Sequence, residues 1–186
     1  TYSRKANRLR RGRGFTLIEA ALTTVIVGTG VLAIVAAQQA YTQKNDWAGK
    51  TGIAMNLANE LRELTMPLPM HDPITGTAFM GAEPGESGVA DYDDLDDFAG
   101  TITSGQGSGI TFGDTENGAD QPGPINALRQ VVPDLDGWSQ QIIVENVLPN
   151  DISSTFTADI GSTSMMRLTV YVRYQGPRDD SPQTIT

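Results

Sequence analysis

The chain has 186 residues, no cysteine and a formal net charge of −9 at pH 7. Without cysteine, neither a disulfide framework nor a thiolate metal site can form. The charge is unevenly distributed: residues 1–14 carry six of the 13 basic side chains and no acid, whereas residues 15–186 carry all 22 acids, a balance of −15. A body this acidic repels phosphate groups, so no nucleic acid partner is expected. The length of the chain is sufficient for one modest domain besides an N-terminal segment.

A predominantly apolar segment, residues 15–37, follows the basic residues directly and carries a single charge, Glu19. As a helix it would span roughly 34 Å, against about 30 Å for the hydrocarbon core of a bilayer. The preceding basic residues favour a cytoplasmic N-terminus, with the rest of the chain outside.

Three other interpretations of the N-terminal region stay open. Residues 1–14 could be a disordered basic tail. A secretory signal could end at Val35-Ala36-Ala37, but a charge near the start of its apolar core is unusual. A buried helix of a soluble protein would carry a polar stripe, which this segment lacks.

The helix is predicted to continue beyond the apolar segment. Pro67 and Pro69 are expected to end it, so the sequence predicts a single helix from about Phe15 to Thr65, roughly 75 Å long. Its second half, residues 38–65, has apolar residues at spacings of three and four, which predict one buried face. These residues are Tyr41, Ala48, Met55, Leu57, Ala58, Leu61 and Leu64.

Residues 66–186 are expected to form a globular head that begins with loops and ends with strands. Short β-like pieces occur at residues 101–103 and 110–112, and two clearer strands are predicted at residues 139–147 and 167–174. Residues 175–186 are expected to be frayed. The predicted fold class is α+β, with the long helix packed against a small antiparallel sheet of three or four strands. The domain boundaries are therefore a basic leader at 1–14, a membrane helix at 15–37, an amphipathic helix at 38–65 and the head at 66–186.

The string Gly14-Phe15-Thr16-Leu17-Ile18-Glu19, with its basic and apolar flanks, resembles the processing and methylation signature of type IV pilins and type II secretion pseudopilins. The resemblance implies a pilin-like fold, cleavage after Gly14 by a prepilin peptidase, methylation of the new N-terminus at Phe15, and an assembly role for Glu19. Further partners would be other pilin or pseudopilin subunits, an inner-membrane assembly platform and the lipid bilayer. The Asp-Asp-Leu-Asp-Asp-Phe string and the last strand look like those of minor members.

By this resemblance, the chain is a structural subunit without enzymatic activity. It would cross the bacterial inner membrane once, with its head in the periplasm or at the cell surface, and would be extracellular once assembled into a pilus. The alternative is a membrane-anchored or exported binding protein whose N-terminus only mimics the signature.

A physical argument gives Glu19 a role that agrees with this resemblance. A carboxylate in a bilayer costs on the order of 2.5–3.5 kcal/mol by insertion scales, so it is expected to find a partner. Cleavage would create a cationic amine on Phe15 of a neighbouring subunit. The alternative is an isolated acid whose side chain reaches the membrane surface.

Five carboxylates lie within seven residues of the head: Asp91, Asp93, Asp94, Asp96 and Asp97. Oxygen-rich loops select hard ions, so calcium is the one candidate cofactor. The run lacks the spacing and central glycine of an EF-hand. A solvated acidic loop and a partner-docking surface are the alternatives.

Catalytic motifs are absent from the sequence. His71 is the only histidine, next to Asp72 in a Pro-rich loop, and is expected to be exposed. No G-x-S-x-G string occurs, and the glycines at 105–109 lack the Lys-Ser/Thr of a P-loop. Trp47 and Trp138 are expected to anchor a core or an interface.

Overall fold

The computed structural model describes residues 15–76, 80–153, 159 and 161–185. The chain divides into two units, Thr1–Trp47 and Ala48–Thr186. Helix α1, Leu17–Thr65, has 49 residues and contributes to both units. The predicted single helix is therefore confirmed.

In the first unit, α1 exposes apolar side chains around its whole circumference. Leu17, Leu32 and Ile34 are 90%, 70% and 61% exposed. Among the described residues, α1 is the one helix long and apolar enough to cross a membrane. A helix with apolar side chains on all sides is usually surrounded by lipid or by other helices rather than by water.

In the second unit, the last turns of α1 bury one face against the sheet. Ala54, Leu57, Leu61 and Leu64 are all at most 5% exposed, at spacings of three and four. Three residues assigned to the predicted buried face are exposed: Tyr41, Ala48 and Met55. Tyr41 and Ala48 precede Ala54, the first buried residue of α1, so the predicted face was too long at its N-terminal end. Met55 lies within the buried stretch but on the exposed side of the helix.

The head contains two sheets. Strands β1 (Ile102–Thr103) and β2 (Gln106–Gly107) form a small antiparallel hairpin. The main sheet has the order β4-β3-β5-β6-β7. Its strands are β3 (Ile110–Gly113), β4 (Gln121–Pro122), β5 (Trp138–Asn146), β6 (Met166–Tyr174) and β7 (Gln183–Thr184). The α+β class is confirmed.

Two details of the predicted sheet were wrong. The main sheet has five strands and is mixed, because the loop after β3, which contains a 3₁₀ turn at Thr115–Asn117, carries the chain back along β3 before β4 runs parallel to it. The tail is not frayed at β7, which pairs with the end of β6. The next residue, Ile185, donates its backbone N–H to the Val172 carbonyl at 2.9 Å. Ile185 also packs against the cluster around Trp138, so the tail covers part of the core.

The core lies between α1 and the facing side of β5 and β6. Alternate residues of β5 are buried, and Leu168, Val170 and Val172 of β6 share the face that the alternation predicted. Trp138 is 6% exposed and belongs to this core, whereas Trp47 is 49% exposed. The expectation that the tryptophans anchor a core or an interface therefore holds for Trp138, which lies in the core.

A buried amide connects the sheet to the helix. Gln140 is fully buried, and its Nε2 donates to the carbonyls of Leu57 (2.7 Å) and Ile125 (3.1 Å). Its Oε1 accepts from the Ile125 N–H at 2.8 Å. A buried amide whose donors and acceptor are paired in this way holds strand, helix and loop in one arrangement.

Candidate functional site

Two of the three residues predicted for processing and assembly lie near the start of α1: Glu19 is in its first turn, and Phe15 precedes the helix. Gly14 lies outside the described residues. Glu19 Oε2 accepts hydrogen bonds from the backbone N–H and the hydroxyl of Thr16, both at 2.9 Å. In return, Glu19 N–H donates to Thr16 Oγ1 at 3.3 Å. This reciprocal pair is a capping box that begins the helix at Leu17.

The capping box gives Glu19 a local structural role that the sequence prediction missed. The signal was present, because Thr16-x-x-Glu19 before an apolar run is the pattern of a capping box. The other carboxylate oxygen of Glu19, Oε1, has no hydrogen-bond partner among the described residues. Phe15 is 78% exposed at the same end of the helix. The site therefore offers one oxygen to a partner that approaches the helix N-terminus.

The acidic run of the head separates into buried and exposed members. Asp94, Asp96 and Asp97 are at most 1% exposed, whereas Asp91 and Asp93 are exposed. Asp91 Oδ2 accepts from the backbone N–H of Ser87 at 3.1 Å. The interpretation of the whole run as a solvated loop is therefore wrong for the three buried carboxylates.

Asp94 and Asp97 shape the backbone of this loop, and each uses one carboxylate oxygen to do so. Asp94 Oδ1 accepts from the N–H groups of Asp96 (2.8 Å) and Asp97 (3.2 Å). Asp97 Oδ2 accepts from the N–H groups of Asp93 (2.9 Å) and Asp94 (3.1 Å). These bonds support the 3₁₀ turn at Asp96–Ala99. The second oxygens, Asp94 Oδ2 and Asp97 Oδ1, are buried and have no hydrogen-bond partner among the described residues.

Two glutamates that the sequence prediction did not include lie near these aspartates. One carboxylate oxygen from each of Glu83, Glu86 and Asp97 lies within 4.8 Å of the other two. The same holds for Asp93, Asp94 and Asp97. Glu83 Oε2 is a further buried oxygen without a partner. The sequence signal was weak, since Glu83 and Glu86 are separated from the acidic run by uncharged residues.

Burial raises the pKa of several acids in this cluster. The pKa of Asp94 rises to about 6, chiefly through burial and then through the charge of Asp96. Burial also raises the pKa of Asp97 to about 6 and that of Glu86 to about 7. Buried carboxylates near other carboxylates hold protons more tightly, because the ionised form is poorly solvated and repelled.

Asp96 has different partners from the other buried aspartates, Asp94 and Asp97. Its Oδ2 contacts His71 Nδ1, and its Oδ1 accepts from the Gly81 N–H at 2.9 Å. Burial raises the pKa of Asp96, and the hydrogen bond from His71 opposes that rise. The predicted exposure of His71 was wrong, because its side chain is only 15% exposed. No hydroxyl of the described residues is hydrogen-bonded to the His71 ring.

Of the five aspartates predicted as calcium ligands, the structure brings together Asp93, Asp94 and Asp97 and leaves Asp91 and Asp96 outside both groups. A scan against protein-family models and searches of curated proteins and of solved structures found no match.

Proposed function

We propose that this chain is a structural subunit, of the minor kind, of a type IV pilus or a type II secretion pseudopilus. It is inserted in the inner membrane as a prepilin, cleaved after Gly14 and assembled through α1. The observation that carries the proposal is the position of Glu19, in the first turn of a long helix with exposed apolar side chains and four residues after Phe15 in the sequence.

Cleavage would convert the amide nitrogen of Phe15 into a cationic amine, which would then be methylated in a separate step. Because Thr16 occupies Glu19 Oε2 and leaves Oε1, the carboxylate can keep its cap and still accept a neighbour's amine. Phe15, Leu17 and Ile18 are at least 75% exposed and would pack against lipid or neighbouring stalks. Ion pairing and apolar packing then favour lateral addition of subunits.

The proposed orientation follows from charge. The six basic residues before Gly14 stay on the cytoplasmic side, and the head lies in the periplasm or on the cell surface. The partners are a prepilin peptidase, other pilin or pseudopilin subunits, an inner-membrane assembly platform and lipid. The proposed role is assembly, without enzymatic activity of its own.

Cleavage is tested by co-expressing the chain with a prepilin peptidase and determining the mature N-terminus by mass spectrometry. The wild type is expected to lose residues 1–14 and to start with methylated Phe15. The variant Gly14→Leu should stay uncut, whereas Gly12→Leu, a matched change of the other glycine in the leader, should be processed. A mature start after Ala37, or normal shortening of Gly14→Leu, would refute the assignment and favour the exported binding protein.

Assembly is tested with substitutions that separate charge from capping. Glutamine also serves as the acceptor in a capping box, so Glu19→Gln removes the charge and keeps the cap, whereas Thr16→Ala weakens the cap and keeps the charge. We expect Glu19→Gln to be inserted and cleaved but excluded from sheared filaments, and Thr16→Ala to be incorporated. If Glu19→Gln assembles normally and Thr16→Ala does not, the role of Glu19 is capping and the pairing model is wrong.

A further inference from the structure

Strand β6 has one open edge over most of its length. Strand β5 pairs with every residue of β6, whereas β7 covers only the last two residues on the other edge. The carbonyl of Val172 points to that other edge, because it accepts from the Ile185 N–H just after β7. Backbone groups alternate between the two edges along a strand, so those of Leu168 and Val170 point the same way. Among the described residues these N–H and C=O groups have no hydrogen-bond partner, and such an edge is a template for another strand.

A mostly apolar groove of about 500 Å³ lies between α1 and β6. It is lined by residues of β6 and by none of β5, so it lies on the side of the open edge. Its apolar side chains are those of Ala58, Met66, Leu95, Met166, Leu168 and Val170. Methionine adapts to side chains of different shape and is common on surfaces that bind peptides. The groove and the open edge form one surface, the β6 groove.

The β6 groove also contains a cation, Arg62 of α1. The guanidinium makes no ion pair or hydrogen bond with any described residue. The positions three and four residues away on the helix hold Ala58, Asn59, Thr65 and Met66, so α1 offers no acid at the spacing of a helical ion pair. The cation is therefore available to an acid of a partner.

An extended peptide is the occupant that uses all three features. Added to the open edge, it would pair its own backbone with Leu168 and Val170 at the usual strand separation of about 4.8 Å. In antiparallel addition, the residues opposite these two have their side chains on the same face, so alternate apolar side chains enter the groove. A lipid chain or a small apolar molecule would fill the groove but leave the backbone groups unpaired.

We propose that the β6 groove binds an extended segment of a partner protein, which adds a strand to β6. The segment has alternate apolar side chains and an acid on the same face that pairs with Arg62. A second copy of this chain fits less well, because β6 itself carries Arg167 and Arg173 and no acid. The inference goes beyond assembly through the apolar part of α1 and does not depend on it, since the β6 groove belongs to the second unit.

The test uses the full chain in lipid nanodiscs and fluorescence anisotropy of a labelled peptide, Thr-Val-Thr-Val-Thr-Glu-Thr, and of its reversed sequence. One of the two should bind with a dissociation constant below about 1 mM. Replacing the glutamate of the peptide by glutamine should weaken binding about three- to fivefold, as expected for a partly exposed ion pair. Absence of binding by both peptides, or equal binding with glutamine, would overturn the proposal.

Methylation of the peptide backbone tests strand addition without changing the protein. Only one edge of an added strand faces β6, so N-methyl groups on one alternate set of residues should abolish binding, and those on the other set should leave it within about twofold. Loss with methylated valines indicates antiparallel addition, and loss with methylated threonines indicates parallel addition. Equal effects of the two sets would show that the peptide does not add as a strand and would refute the proposal.

Variants of the chain locate the acid-binding position. Arg62→Gln should bind the glutamate and glutamine peptides equally, within about 1.5-fold, whereas Arg178→Gln should keep the preference of the wild type. Arg178 is an exposed arginine of the same unit that lies outside the groove. Equal loss of preference in both variants would mean a diffuse charge effect and would refute the site. Because the chain has no cysteine, disulfide-linked dimers of Val170→Cys without peptide binding to the wild type would assign the edge to a second copy instead.

Discussion

Lowering the pH should stabilise the head, and the acidic cluster is the reason. Asp94 and Asp97 have an ordinary pKa of 3.8 and a folded pKa of about 6, and Glu86 changes from 4.5 to about 7. A raised folded pKa means that the native state binds protons more tightly than the unfolded state. The stabilisation is complete below about pH 4 and is lost as the pH rises through 6 to 7.

The magnitude follows from these pKa values. A tenfold change in proton affinity is worth about 1.4 kcal/mol, so one carboxyl shifted from 3.8 to about 6 corresponds to on the order of 3 kcal/mol. The groups facing the cluster are Glu83, Asp93, the His71–Asp96 pair and the phenol of Tyr92. Since neighbouring acids share their protons, we expect one such increment for the cluster rather than three.

The measurement is urea denaturation in excess EDTA at pH values from 4.5 to 8, followed by near-UV circular dichroism of the buried Trp138. The variant Asp97→Asn carries no titrating group at the central position, so its pH profile should be flatter than that of the wild type. Asp91→Asn controls for the general charge of this acidic body and should keep the wild-type slope. Equal slopes in the wild type and Asp97→Asn would refute the argument.

Three other substitutions test the packing of the head by the same denaturation assay. Gln140→Leu should destabilise by roughly 2–4 kcal/mol, because it leaves buried backbone groups unpaired, whereas Gln141→Leu, on the half-buried face, should cost less than about 1 kcal/mol. Leu61→Ala should cost about 2–5 kcal/mol through the cavity it creates, against less than about 0.5 kcal/mol for the exposed Met55→Ala. Gly109→Ala should destabilise by more than about 1 kcal/mol, since φ is +75° there and the added methyl would meet a carbonyl of β5. An effect of Leu61→Ala no larger than that of Met55→Ala would contradict the assigned core.

The long helix and the two main strands could be predicted because their signals are local and repeated. Leu57, Leu61 and Leu64 have the spacing of a helix face, and the alternation in β6 predicts its buried side. The short strands could not be assigned to a sheet in this way. The two residues of β7 carry no periodic signal and become a strand only because β6 offers an edge. The parallel pairing of β4 with β3 depends on a turn that the sequence marks only as polar.

The acidic site shows a similar division between local and non-local information. The density of aspartates predicts an oxygen-rich loop, but not which oxygens remain available. Asp91 is used by Ser87 and Asp96 by His71, and these partners lie 4 and 25 residues away in the chain. Glu83 joins the cluster only through the folding of the loop. Which carboxylate oxygens stay unpaired is therefore a property of the fold.

In the proposed filament, the capping box would limit how much Glu19 contributes to assembly. An uncompensated carboxylate in a bilayer costs about 2.5–3.5 kcal/mol, and a helix cap typically returns about 1 kcal/mol. Since Thr16 already supplies that cap within the subunit, roughly 2 kcal/mol remains for a neighbouring amine to recover. That energy corresponds to about a 30-fold preference for the paired subunit. In the proposed filament, such a preference would select the register between stalks, and the exposed apolar surface of Phe15, Leu17 and Ile18 would supply most of the free energy that holds them together.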